Sequence, residues 1–148
     1  MMLEIKIKKL RKSVKLPQKM TGSASGYDIY TNLKETMIIE PGETALVPTG
    51  FALEIPPGYE AQIRPRSGLA LKNEIGVLNS PGTIDADYRG EIKIILINLG
   101  KEQFVVNNNK RIAQMVFAQV PKTKITEVDT LTPTRRDEGG FGHTDKLD

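Results

Sequence analysis

The feature that most restricts this chain is the period of its apolar residues, which is two wherever it is regular. Leu3, Ile5 and Ile7 alternate with charged residues, as do Phe51, Leu53 and Ile55, and then Tyr59, Ala61 and Ile63. Successive side chains of a strand point to opposite faces, so this alternation predicts strands with one face toward a core. Residues 91–98 (EIKIILIN) begin in alternation and become continuously apolar, as expected of a strand that dives into the core. Residues 111–120 (RIAQMVFAQV) read as another strand. Turn signals separate the runs: Pro41-Gly42, Pro56-Pro57-Gly58, Pro81-Gly82, Asn98-Leu99-Gly100 and Asn107-Asn108-Asn109. Many short strands between such turns predict a β-sandwich, jelly roll or barrel. One short helix is expected at Ser67–Asn73 (SGLALKN), and no other segment sustains a helical stripe.

At 148 residues, 39% of them hydrophobic, the chain suffices for one domain and one core. It has no apolar run near ~20 residues, so no membrane span is expected. The first 15 residues mix lysine with isolated aliphatics and lack the apolar centre of a secretory signal. Cysteine is absent, which removes disulfides and thiolate metal sites and favours a cytoplasmic protein. The net charge of +3 is mild. The basic cluster at residues 6–15 interleaves lysine with Ile7, Leu10 and Val14, the pattern of a solvated strand face, and it has no aromatic beside it on which a base could stack. No nucleic-acid partner is expected. From Thr130 onward the sequence turns polar and rich in glycine and charge, the composition of a mobile arm over residues 130–148.

Five segments could carry chemistry. In residues 23–30 (SASGYDIY), small residues and Gly26 allow a tight turn just before Asp28; an aspartate bonded to its own turn is the ordinary alternative. In residues 64–70 (RPRSGLA), Arg66 and Ser67 fall at the start of the helix, where free N–H groups attract anions, although Ser67 could equally be a plain N-cap. Residues 79–90 (NSPGTIDADYRG) place Asp85 and Asp87 two apart, between Pro81-Gly82 and Gly90, as in a sharp hairpin. A carboxylate there could activate a water or help hold a metal; solvated acids paired with Arg89 are the alternative. Gln114 is polar in a strand that otherwise reads as buried and needs a partner, backbone or ligand. Residues 136–144 (RDEGGFGHT) set glycines around Phe141, a segment that could close over a ligand with Arg136 on phosphate and Phe141 on a base. His143 is the only histidine, so a protein-caged zinc site is excluded.

Taken together, SGYDIY, PRSGLA, GTIDADYRGEI, RIAQMVF and RRDEGGFG resemble, in order, the five motifs of the trimeric dUTPase family, over residues 25–144. The resemblance implies a distorted β-barrel of jelly-roll type. It also implies a homotrimer with active sites at the subunit interfaces, Mg2+ as cofactor, and hydrolysis of dUTP to dUMP and pyrophosphate. Asp85 matches the acid that activates the attacking water, and Tyr88 the residue packed beneath the deoxyribose. Asn79 matches the reader of uracil. Arg66, Ser67, Gly68 and Gln114 match phosphate contacts. Asp28 matches the acid that holds magnesium through water. Arg136 and Phe141 match the arm residues that grip phosphate and cover the base, with Gly142, His143 and Thr144 as further phosphate contacts. The arm departs from the family pattern: Asp137 stands where glycine usually follows the arginine, Glu138 adds a second negative charge, and His143 stands where serine is frequent.

Two rivals follow from the same reading. One is a dCTP deaminase, or a bifunctional deaminase–dUTPase, on this fold; such chains are usually longer and place a glutamate at the base, and no such motif is present. The other is a non-catalytic jelly-roll binding protein, against which the retained acid, serine, glutamine and arm aromatic argue.

Overall fold

The computed structural model describes residues 2–141. Eleven strands and one helix follow in order: β1 (Lys6–Lys9), β2 (Tyr27–Tyr30), β3 (Met37–Ile39), β4 (Thr44–Pro48), β5 (Phe51–Glu54), β6 (Tyr59–Arg64), α1 (Ser67–Asn73), β7 (Ile75–Val77), β8 (Gly82–Ile84), β9 (Lys93–Asn98), β10 (Phe104–Val106) and β11 (Arg111–Gln119). All pairings are antiparallel. They form a four-stranded sheet in the order β2-β11-β6-β8, a three-stranded sheet β4-β9-β7, and the pairs β1-β5 and β10-β3. This is the all-β class that the period-two pattern predicts, with the one short helix expected at Ser67–Asn73, and it agrees with the jelly-roll-like fold that the resemblance implies. Among the described residues no helix is long and apolar enough to cross a membrane.

The sheets close on one cluster in which Ile29, Phe51, Ile92, Ile94, Leu96 and Ile112 are fully buried. Each such side chain contributes roughly 1.5–3 kcal/mol relative to leaving it in water. In β11 the inward residues Ile112, Ala113 and Met115 are buried. β9 departs from expectation. Ile94, Leu96 and Asn98 are buried, but Ile95 and Ile97 face the other way and keep some exposure. The run is continuously apolar because both faces are apolar, not because the strand is wholly enclosed. Opposite Ile95 stands Leu46, more than half exposed. β1 is exposed along its whole length and lies on β5, with Lys6 bonded to Glu54 at 2.8 Å, which agrees with a solvated strand face.

α1 is too short to be stable on propensity alone. Its one buried residue, Leu69, ties it to the core, and Glu74 in the left-handed region ends it by donating its amide to the carbonyl of Ala70. Beyond β11 the chain runs from Val120 to Phe141 without strand or helix and largely exposed.

Candidate functional site

Two clusters gather the residues that the sequence singles out. The first lies where β2, β11 and β6 meet the start of α1. Register sets Gln114 opposite Asp28 on one side and Arg64 on the other. Asp28 lies within β2, and its Oδ2 takes Arg111 at 3.0 Å and Arg66 at 3.4 Å. The alternative of an aspartate bonded to its own turn fails, because the segment is a strand and two guanidinium groups meet the carboxylate instead. Arg66 also donates to the carbonyl of Arg111 at 3.1 Å, so its side chain is held from two directions while staying partly open to solvent.

Gln114 has a backbone partner: Nε2 donates to the carbonyl of Pro65 at 3.0 Å, fixing the residue just before Arg66. A Cβ on Gly26, just before β2, would meet the Gln114 amide oxygen, so any larger residue there would displace the Gln114 side chain. The cap of α1 is Arg66, with no side-chain cap bond. Ser67 as N-cap is therefore corrected: the helix starts one residue earlier than that reading needs, and the Ser67 hydroxyl is not spent on capping. The amides of Leu69 and Ala70 reach back to the Arg66 carbonyl. Those of Ser67 and Gly68, both exposed, precede the first helical bond and are available to an anion.

The second cluster surrounds residues 79–91. β8 pairs with β6 and β9 with β4 and β7, so the strands flanking DADYRG do not pair with each other. The expected sharp hairpin is corrected to a turn that carries the chain from one sheet to another, since each flank is claimed by a different partner. The turn closes when the Tyr88 amide donates to the Asp85 carbonyl at 3.2 Å, which also removes the extended spacing that would align Asp85 with Asp87. Arg89 donates to the carbonyls of Ala86 and Tyr88, at 2.7 and 3.0 Å, and pairs with neither acid. Asp85 is exposed and has no ion-pair partner among the described residues. The Tyr88 hydroxyl donates to the Glu91 carbonyl at 3.2 Å, and the ring lies over Gly90, where a Cβ would strike it. Asn79 is exposed, its side chain against Gly82. Asp85 and Tyr88 border a cleft of about 390 Å³ together with Leu46, Ile84, Lys93 and Ile95.

Register measures the gap between the clusters. Ile84 stands opposite Ala61, which puts Asp85 level with Glu60 on β6. β6 ends at Arg64 and Arg66 lies beyond it at the start of α1, while Asp85 follows the last paired residue of β8. Within one chain the acid and the helix start therefore lie off opposite ends of the β6–β8 pairing. The arm joins neither cluster: Arg136 bonds the Gly139 carbonyl at 2.7 Å, Asp137 the Thr134 hydroxyl at 3.0 Å, and Phe141 is fully exposed. Gly142, His143 and Thr144 lie outside the described residues.

Among the described residues no three His, Cys, Asp or Glu side chains gather closely enough to cage a metal. The carboxylates fit a different kind of ion, one liganded mainly by phosphate oxygens and water. Both guanidinium contacts of Asp28 fall on Oδ2, which leaves Oδ1 outside these ion pairs to accept from a metal-bound water. Sequence reasoning missed Arg111 as the partner of Asp28; a charge at the head of a buried strand was the available signal. It also missed Arg11 and Glu91, which are bonded to each other across 80 residues with no local signal at all.

The family model described as dUTPase matches residues 12–145. The deoxyuridine 5'-triphosphate nucleotidohydrolase of Thermoanaerobacter sp. (strain X514) is 56% identical over 146 residues, 97% of this chain and 99% of that protein. A mutant dUTPase of Staphylococcus bacteriophage 80alpha, solved with dUpNHpp, is similar with a TM-score of 0.86 at 25% identity, covering 95% of this chain and 98% of that one. A mutant dUTPase from phage phi11 of S. aureus, whose structure details the coordination of a structural Mg(II) ion, is similar with a TM-score of 0.79 at 23% identity, covering 88% and 99%.

Proposed function

The chain belongs to the dUTPase family and hydrolyses dUTP to dUMP and pyrophosphate, and we propose that it does so with Asp85 as the base that activates the attacking water. The observation that carries this assignment is the contrast between two aspartates. Asp28 is tied to two guanidinium groups, whereas Asp85 is exposed beside a cleft with no cation paired to it among the described residues.

The remaining roles follow from position. The amides of Ser67 and Gly68, with the Arg66 guanidinium, bind the phosphates and take up charge on the departing pyrophosphate. Gln114 contributes by bracing the Pro65 carbonyl. Tyr88 lies beneath the deoxyribose, where a 2′-hydroxyl would clash, and Asn79 reads uracil beside it. Cytosine would leave polar groups of such a site unmatched, at ~1–3 kcal/mol each. Arg136, Phe141, Gly142, His143 and Thr144 belong to an arm over residues 130–148 that closes on the nucleotide, while the rest of residues 1–148 forms a single domain. Mg2+ is the cofactor this reading implies; Asp28 would help to hold it, and when bound it would neutralise charge on the triphosphate.

A homotrimer with shared sites is supported by two observations. Asp85 and Arg66 lie off opposite ends of the β6–β8 pairing, an arrangement that suits a site completed by a neighbouring chain. The outer face of β4-β9-β7 is apolar and open at Leu46, Ile95 and Ile97, a surface that a second copy can cover. The absence of cysteine agrees with a cytoplasmic location. The decisive experiment is a nucleotide panel. Pyrophosphate release from dUTP with magnesium, abolished by EDTA and far slower with dCTP, dTTP and UTP, is the expected result. Ammonia release from dCTP would redirect the reading to a deaminase.

A further inference from the structure

We propose that Arg11, which lies outside all five motif segments, is a positioning residue for the Asp85–Tyr88 turn and sharpens the choice of deoxyribose over ribose. The inference rests on the reading of Tyr88 as the floor beneath the sugar.

Arg11 is fixed at both ends of its guanidinium. Its Nε donates to Oδ1 of Asn32 at 2.6 Å, and its NH2 group donates to Oε1 of Glu91 at 2.6 Å. Asn32 is itself buried and donates to the Ser13 hydroxyl at 3.1 Å. The same Oε1 of Glu91 accepts the Gly50 amide at 2.8 Å. Glu91 is mostly buried, so its carboxylate depends on Arg11 for charge compensation. The backbone carbonyl of Glu91 is in turn the acceptor of the Tyr88 hydroxyl, and the residue before it, Gly90, seats the Tyr88 ring.

The topology makes this clamp consequential. In a hairpin, ladder bonds between the two flanking strands would hold the turn. Here β8 and β9 belong to different sheets, and no such ladder exists between them. The trailing limb is held instead by the Ile92 amide on the Phe51 carbonyl at 2.9 Å, by Thr49 on the Ile92 carbonyl, and by the Arg11–Glu91 pair. Without Arg11, the Glu91 carboxylate would keep only the Gly50 amide, and the limb that carries its carbonyl would be held less firmly. The Tyr88 ring would then lose its fixed height, and exclusion of a 2′-hydroxyl depends on that height.

The test is steady-state kinetics on dUTP and UTP, with wild type, Arg11→Ala, Arg11→Lys, Glu91→Gln and Tyr88→Ala side by side. Arg11→Ala should raise kcat/KM for UTP relative to dUTP by roughly tenfold, the scale of a loosened steric contact. Arg11→Lys, whose single ammonium cannot serve Asn32 and Glu91 together, should fall between. Glu91→Gln should reproduce Arg11→Ala, and combining the two should add little. Should Arg11→Ala fail to fold, Arg11→Lys and Glu91→Gln carry the measurement. A lower melting temperature with the wild-type UTP:dUTP ratio in these variants makes Arg11 merely structural and overturns the proposal. If Tyr88→Ala also fails to admit UTP, it is the sugar-floor reading itself that falls. If Tyr88→Ala admits UTP and the Arg11 and Glu91 variants do not, only the clamp is lost.

Discussion

At the scale of single residues, what sets the carboxylate we propose as the base apart from its counterpart on β2 is its company. Asp28 and Asp85 are both carboxylates in short polar motifs, but only Asp28 has guanidinium partners. Asp85→Asn should therefore leave dUTP binding near the wild-type value by calorimetry and lower turnover by roughly 10²–10⁴-fold, the usual worth of a general base; wild-type turnover would reject Asp85 as the base. Gly26→Ala tests the packing of the other cluster. The new methyl would strike Gln114 and loosen its hold on Pro65. A loss of about 1–3 kcal/mol in denaturant unfolding is expected, with a raised KM for dUTP. Asp85, Tyr88 and Gln114 could be singled out as candidates because each sits inside a motif. The partners of Asp28 were not, because Arg111 lies 83 residues away and only the register of β2 on β11 brings it near.

Elements were legible in kind but not in partnership. A period of two marks strands reliably, since it follows from the pleat itself, and the short helix at Ser67–Asn73 stands where expected. Pro81-Gly82 and Gly90 signal that the chain reverses, yet they carry no information about which strand claims each flank; hence the hairpin that proved to be a turn between sheets. β1 shows how an exposed element is tethered. The hydrogen bond and charge of Lys6 hold the Glu54 carboxyl below its ordinary range, and Glu54 raises the Lys6 amine. The Glu54 contribution is complete above the ordinary carboxyl range and fades as pH falls through its lowered folded value. The Lys6 contribution is complete below the ordinary amine range and fades as pH rises through its raised value. Protection of the β1 amides, relative to the intrinsic exchange rate at each pH, should thus be greatest near neutrality and fall in acid. Deletion after Thr134 probes the arm: the remaining chain should keep its fold and mass by light scattering while catalysis on dUTP drops severely. Normal turnover would remove the arm from the site.

For the whole molecule, the apolar outer face of β4-β9-β7 is the feature that one isolated chain leaves unexplained. Leu46→Glu places a charge at its centre, opposite Ile95. Sedimentation should show a smaller species than wild type, and activity should fall in step with the lost mass; an active monomer would contradict the shared-site picture. A single sequence hid this surface, because the run IILI looks the same whether its second face meets a core or a neighbour. The placing of Asp85 and Arg66 off opposite ends of the β6–β8 pairing carries a further consequence under the proposed homotrimer: two dead proteins should revive each other. If chains bearing Asp85→Asn and chains bearing Arg66→Ala are unfolded together and allowed to reassort, each mixed ring of three would regain one working centre, about a quarter of the full rate at equal proportions. If every centre were built within one polypeptide, such mixing would restore nothing.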